Sequence, residues 1–333
     1  MITRRQFNRR ALGVAVAALT VPARAFAQGS DYPTRPIKLI CPFAAGGGPD
    51  ILTRKLAIKL ADVLGKGSVV IVENIVGAGG IVAAQSVARM APDGYNLLQG
   101  ASSHVVQKAM QPSVKFDPVK DYAHITRTAY TPSVLVVSVD SAYKTVDDLV
   151  AAAKKEPGKL NYASGGVGSA AHLCGAAVAL QAKIDVVHVP YKGSVEIVPS
   201  IITGATQFAV PIASTAIPQV QSGKVRALAV TSAQRMAALP DVPTLVEVFK
   251  TQELALDAWF GLWAPAGTPP DIVNRLFDAV KKSYDDPALR ADAEAAGAVL
   301  ALSGSPAEFT KFIEMETVKL DKIVKAANLT VQN

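Results

Sequence analysis

Short runs of β-branched and aliphatic residues alternate along the chain with longer Ala- and Leu-rich stretches of helical period. Residues 37–41, 69–73 and 95–99 read as strands, each running into a turn built of small residues. Helical patterns follow from about 50 to 64, and from the Gly77-Ala78-Gly79-Gly80 turn to about 90. The rhythm returns at 160–163, 186–189 and 207–210, each strand again followed by a helix. Strand, tight loop and helix in alternation argue for parallel, doubly wound sheets. Residues 133–137 read as the strand that carries the chain into a second sheet, and 227–231 as one that returns it to the first. The last third reads as helical: Pro269-Pro270 opens one helix and Ser305-Pro306 another, with Ser305 and Glu308 at capping-box spacing. The pattern predicts an α/β fold of two lobes, 28–130 plus 233–333 and 131–232. A cleft between two such lobes is a common place for a ligand.

Composition changes this picture mainly at the start of the chain. Half of the 333 residues are hydrophobic and 18% are charged, which excludes a wholly disordered protein. The formal net charge of +7, from 34 Lys and Arg against 27 Asp and Glu, would ordinarily suggest a polyanionic partner. Five of those arginines fall within residues 1–27. Arg4, Arg5, Arg9 and Arg10 precede an uncharged apolar run at 11–21, and Ala25-Phe26-Ala27 follows. This is the order of an export signal cleaved before Gln28, and the run is shorter than the roughly 20 residues that span a bilayer. Residues 3–9 fit a twin-arginine signal; a general secretory signal that begins with two arginines is the alternative. Without this segment 29 basic residues face 27 acidic ones, the net charge is +2, and no basic cluster remains to track a phosphate backbone. No nucleic-acid partner is expected. The uncharged stretches 160–182 and 197–223 are broken by Gly, Pro, Ser and Thr, so no transmembrane helix is expected after cleavage.

Enzyme signatures are missing. The chain has no G-x-S-x-G elbow, H-E-x-x-H, C-x-x-C or Walker lysine motif. The 77–80 turn lacks the last glycine of a dinucleotide fingerprint and reads as a tight turn that lets its helix pack on the sheet. Four histidines lack metal spacing, and two cysteines are too few for a disulfide scaffold or a cysteine-built zinc site. No cofactor and no metal are expected. Cys41 and Cys174 read as small buried hydrophobes in different lobes.

Three strand-end loops carry the candidate chemistry. The first holds Phe43, Ala44, Ala45, Gly46, Gly47 and Gly48, with Asp50 at the helix start. Its glycines bare backbone N–H groups beside a helix N-terminus, an anion-binding arrangement. Asp50 has two open roles, capping its own helix or facing a ligand. The second loop holds Ser164, Gly166, Gly168, Ser169 and His172. Ser169 suits an N-cap whose neighbouring amides meet a carboxylate, or a cap and nothing more; His172 divides between core and cleft. The third holds Tyr191 and Lys192, whose charge is open to an anion or to solvent. Ser102, Ser103 and His104 after one strand, and Ser214 and Thr215 after another, add hydroxyls at strand ends, where ligands bind in open α/β sheets. Amides, hydroxyls and few arginines suit a small carboxylate held by dipoles and hydrogen bonds, with Tyr191 and Phe43 as an apolar wall.

Residues 32–37 (YPTRPI), the 42–48 loop, Val72-Glu73-Asn74 with the 77–80 turn, and Pro92-Asp93-Gly94-Tyr95 form one set of motifs. Gly166 to Ser169 with His172-Leu173, residues 188–193 (HVPYKG), 226–232, 239–244 and 264–269 continue it. Together they resemble the substrate-binding proteins of the tripartite tricarboxylate transporters, the Bug (TctC-like) family, over essentially the whole chain after the export segment. The resemblance implies a bilobed periplasmic-binding-protein fold of type II-like form, monomeric and non-enzymatic. It implies closure on a small organic acid and delivery to a permease of one large and one small membrane subunit. It also implies that the first Gly-rich loop and the Gly168-Ser169 helix start frame the carboxylate, often through a bridging water. The chain departs from the family where members commonly carry Thr or Ser before the loop aspartate, having Pro49 instead, and again at 194–203. Two other readings stay open: a ligand-sensing module that docks on a membrane sensor kinase, and a hydrolase using Ser169 and His172. The ligand class stays open among aliphatic di- and tricarboxylates, amino acids and aromatic carboxylates.

Overall fold

Among the described residues, eleven strands form two sheets and eleven α-helices accompany them. A computed structural model describes residues 32–329, except Lys66, Pro112 and Ala327. The expected export segment lies outside the described residues, and among them no helix is long and apolar enough to cross a membrane.

The first half of the chain lays down β1 (Ile37–Cys41), α1 (Gly48–Leu64), β2 (Val70–Asn74), α2 (Ile81–Val87), β3 (Asn96–Ala101), α3 (Ser102–Met110) and β4 (Tyr122–Thr131). The second sheet is built from β5 (Val134–Ser138), α4 (Val146–Lys155), β6 (Asn161–Ser164), α5 (Ala170–Ala182), β7 (Val187–Pro190), α6 (Ile197–Ile202), β8 (Phe208–Ala209), α7 (Ala213–Gln221) and β9 (Val225–Val230). After α8 (Leu245–Phe249) the chain returns through β10 (Ala258–Pro265), α9 (Pro270–Ser283), α10 (Pro287–Ala295), β11 (Val299–Leu300) and α11 (Pro306–Ala326).

The six-stranded sheet has the order β11-β4-β10-β3-β1-β2 and the five-stranded sheet the order β7-β6-β8-β5-β9. The expected parallel cores are present: β1 lies between β2 and β3, and β6 between β7 and β8, all parallel. Both sheets are nonetheless mixed, because β10 runs antiparallel to β3 and β4, and β5 runs antiparallel to β8 and β9.

Two expectations need correction. Residues 227–231 do not lead back to the first sheet, since β9 pairs with β5. The return is made by β10, a fully buried strand (AWFGLWAP) inside the supposedly helical third. Core membership likewise changes at β10 and not at residue 233, because Leu239, Leu245 and Leu254 pack into the two cores flanking the five-stranded sheet.

The two crossings between sheets are stitched together by one side chain. Thr231, fully buried, accepts the Ser133 N–H at its Oγ1 (2.8 Å) and donates the same hydroxyl to the Leu256 carbonyl (2.8 Å). Backbone bonds from Thr231 N to Ser133 O and from Leu256 N to Thr231 O close the knot. Cys174 packs beside it, its Sγ 3.7 Å from Ser133 Oγ. Both cysteines are free and buried, and burial pushes the Cys41 thiol up to about 11.

Candidate functional site

The carboxyl ends of the parallel strands in both sheets face one cavity of about 780 Å³, counting its open mouth. From the six-stranded side it is lined by the loops after β1 (Phe43, Pro49), β2 (Gly79, Gly80) and β3 (Ser102, Ser103), and by Ala258 and Phe260 of β10. From the five-stranded side come the loops after β6 (Gly165, Ser169), β7 (Lys192, Ser194) and β8 (Pro211, Ile212). This is the crevice off the strand ends where open α/β sheets take their ligands.

Four helices of eight residues or more give a residue of their cap or first turn to this lining: α1, α3, α5 and α7. Three of them begin at Gly47, Ala101 and Ile212 without a side-chain cap. No side-chain cap competes for the first-turn N–H groups of α3, whereas Pro49 in α1 has no N–H and α7 already spends the Ala213 N–H on the Pro132 carbonyl and the Thr215 N–H on the Ile212 carbonyl; each helix end carries partial positive charge. The fourth is capped by Ser169, whose Oγ accepts the His172 N–H at 3.4 Å. Ser103, a residue of the lining that is 7% exposed, adds a buried hydroxyl with no hydrogen-bond partner. Among the described residues, Lys192 is the one Lys or Arg of the lining.

The model of the tripartite tricarboxylate transporter family receptor matches residues 52–329. The chain belongs to this family. The receptor is 31% identical over 314 residues to Protein BugT of Bordetella pertussis, covering 94% of each chain. It superposes with a TM-score of 0.84 on an R. palustris protein solved with adipate, at 29% identity, covering 90% of this chain and 99% of the other. It also superposes with a TM-score of 0.82 on MatC of Rhodopseudomonas palustris with bound malate, at 27% identity, covering 88% and 100%. The family's proteins are solute-binding receptors and not enzymes.

The site geometry agrees. The Ser169 hydroxyl is used as a helix cap, and the His172 ring accepts the Gly168 N–H at Nδ1 (3.1 Å). That ring stacks on His188 at 3.9 Å, and His188 in turn bonds Ser164 Oγ (2.7 Å) and stacks on Tyr162. Burial, helped by the neighbouring His188, lowers the His172 pKa to about 3, and burial lowers His188 to about 4. Neutral, stacked imidazoles of this kind are structural supports behind the cavity wall.

Of the residues singled out from the sequence, Phe43, Ala44, Ser102, Ser103, Ser169 and Lys192 line the receptor's cavity. Ala45, Gly46, Gly47 and Gly48 lie in the loop behind Phe43 without lining it. Gly47 and Gly48 instead let the two halves approach: a Cβ on Gly48 would strike Ser214 Oγ, and one on Gly47 would meet Ser194 Oγ at 3.2 Å. Ser214 and Thr215 stay off the wall, with buried hydroxyls that have no partner.

Asp50 is 1% exposed and takes neither expected role. It accepts the Gly46 N–H (2.9 Å), Arg54 Nε (3.0 Å) and Asn74 Nδ2 (2.7 Å), and Asn74 also holds the Phe43 carbonyl. Burial alone would raise its pKa; bonds from Arg54, Asn74 and Gly46 outweigh that and keep the carboxylate below its usual range. Asp50 thus folds the loop that carries Phe43.

His104, in the first turn of α3, is fully buried. Its Nδ1 accepts the Ala101 N–H (2.9 Å), and its Nε2 lies 2.7 Å from where a Gly80 Cβ would sit. Burial lowers its pKa to about 4 against the pull of the Ala101 and Gly80 backbone. Gly166 and Gly168, at φ 119° and 77°, shape the turn before α5, and Tyr191 packs into the core beside α6 instead of forming the wall.

Sequence reasoning missed the 77–80 turn, dismissed as a packing turn, as well as Gly165, Ser194, Ile197, Pro211, Ile212, Ala258 and Phe260. The strand-end rule alone would have placed the turn after β2 in the lining. Nothing local marks Phe260, since β10 arrives from a distant part of the chain.

Proposed function

We propose that the protein is a periplasmic receptor that captures a small organic carboxylate in this cavity and hands it to a tripartite tricarboxylate-type permease. The observation that carries the reading is the meeting of four helix ends and the unpartnered Ser103 hydroxyl at one lining, where Lys192 is the one Lys or Arg among the described residues. Such a wall stabilises one or two carboxylates by dipoles and charge-assisted hydrogen bonds. The adipate and malate held by two similar proteins support the same class of ligand. The export pattern at residues 1–27 and the family's place in the periplasm support the location.

In this reading two lobes, one around each sheet, hinge at the crossings near Ser133 and Leu256. Ligand affinity for the closed form drives closure. A thermal-shift screen of organic acids on purified protein, followed by calorimetry, tests it. An acid that binds only the folded state raises the melting temperature. No shift with any mono-, di- or tricarboxylate, against a shift with neutral solutes, overturns it. Delivery is tested by uptake of the bound acid in cells with and without the gene.

A further inference from the structure

Resting on the carboxylate reading, we infer that the ligand's body is hydrocarbon: an unsubstituted aliphatic or aromatic acid, not an amino, hydroxy or polyhydroxy acid. The cavity wall between its polar points is built from Phe43, Phe260, Ala258, Ile197, Pro211 and Ile212. Phe43 meets Phe260 edge to face with ring centroids 5.6 Å apart. Phe260 lies in one apolar cluster with Ala101, Ala258 and Ile212, with Ala170 packed against it. The first turns of α3 and α5 therefore flank an apolar floor.

The lining holds no Asp, Glu, Asn, Gln, His or Arg among the described residues. An ammonium group on the ligand would find no carboxylate and no side-chain amide on the wall to offset the hydration it loses there. A hydroxyl finds only serine side chains, and those at the α3 and α5 starts, Ser102, Ser103 and Ser169, sit where carboxylate would bind. Methylene or ring carbons gain from the same wall by leaving water. Pro49 adds to this character, being an apolar residue on the lining with no hydroxyl to offer a substituent.

The test compares matched acids by calorimetry on the wild-type protein: adipate with 2-aminoadipate, glutarate with glutamate, and succinate with malate. The expected result is at least tenfold weaker binding of the substituted member of each pair the protein binds. Equal or tighter binding of the amino or hydroxy acid overturns this inference and leaves the carboxylate reading intact. Binding of the dimethyl esters with none of the free acids overturns both. Phe43→Asn, which adds an amide to the wall, is expected to narrow the gap within a pair at least threefold. An unchanged gap in a variant with wild-type melting would remove Phe43 from the specificity wall.

Discussion

Gln107 reaches from one half of the molecule to the other. It sits on α3, fully buried, and its Nε2 donates to the Val167 carbonyl in the loop before α5 (2.5 Å), while its Oε1 accepts Gln111 Nε2 (2.9 Å). The passage is narrow: a Cβ on Gly79 or on Gly168 would strike the Gln107 amide. Replacing Gln107 by Leu keeps similar bulk but removes the bond and strands the Val167 carbonyl. A neutral hydrogen bond contributes about 0.5–1.5 kcal/mol net, and a stranded buried acceptor costs about 1–3 kcal/mol. Val167 is only half-buried, so the lower part applies, and about 1–2 kcal/mol corresponds to roughly 5- to 30-fold.

If the halves part when the ligand leaves, that cost falls on the closed complex alone. Dissociation should then speed up by that factor while association changes little, as is usual within one interface. Stopped-flow fluorescence with adipate as the probe reads both rates through Trp259 and Trp263 on β10. A variant with unchanged dissociation rate and affinity, but lower melting temperature, would refute the latch and leave Gln107 as ordinary internal support.

Ser169→Ala removes the α5 cap and should weaken adipate binding by about 1–2 kcal/mol in calorimetry, the cost of a lost cap and charge-assisted bond. Thr231→Val keeps the shape of the stitch between crossings but leaves Ser133 N and Leu256 O without their side-chain partner. Melting should drop by several degrees, from about 1–3 kcal/mol of stranded polar groups. His104, His172 and His188 are neutral in the folded protein down to about pH 4, 3 and 4, but take up protons near the ordinary value of 6.5 when unfolded. The unfolded state therefore binds more protons below about pH 6.5, and stability should fall as pH drops from there toward 4, by at most about 1.4 kcal/mol per unit and group. Melting curves from pH 7 to 4.5 check this, with His188→Gln expected to flatten the slope; a flat wild-type curve would contradict it.

The strands that could be read in advance are those with dense β-branched or aliphatic runs, such as Ile37–Cys41 and Val187–Pro190, parallel strands whose position is announced by their own composition. Tyr122–Thr131 could not, because His124, Thr126, Arg127 and Thr128 look polar until α11 and the loops cover them. Thr310 on α11 reaches His124 at 3.2 Å, a partner 186 residues away. In the site, the loop positions were legible and the side-chain roles were not. Asp50 was seen at a helix start, but Asn74, which turns it inward, lies 24 residues off on β2.

β10 has a consequence for how the protein is made. It pairs with β3 on one side and β4 on the other, so these two strands have no common neighbour until Ala258–Pro265 has been synthesised. A nascent chain that has finished the whole second sheet still carries three strand edges in its first that the finished sheet closes: one on β3 and both on β4, whose other partner β11 comes later still. Such edges recruit foreign strands, and long-range pairing of this kind is slow. The first half of the polypeptide is thus kept from completing its fold on its own, which makes its last quarter the trigger for compaction. Truncations ending before β10 should accumulate as aggregates, whereas the full-length chain should not.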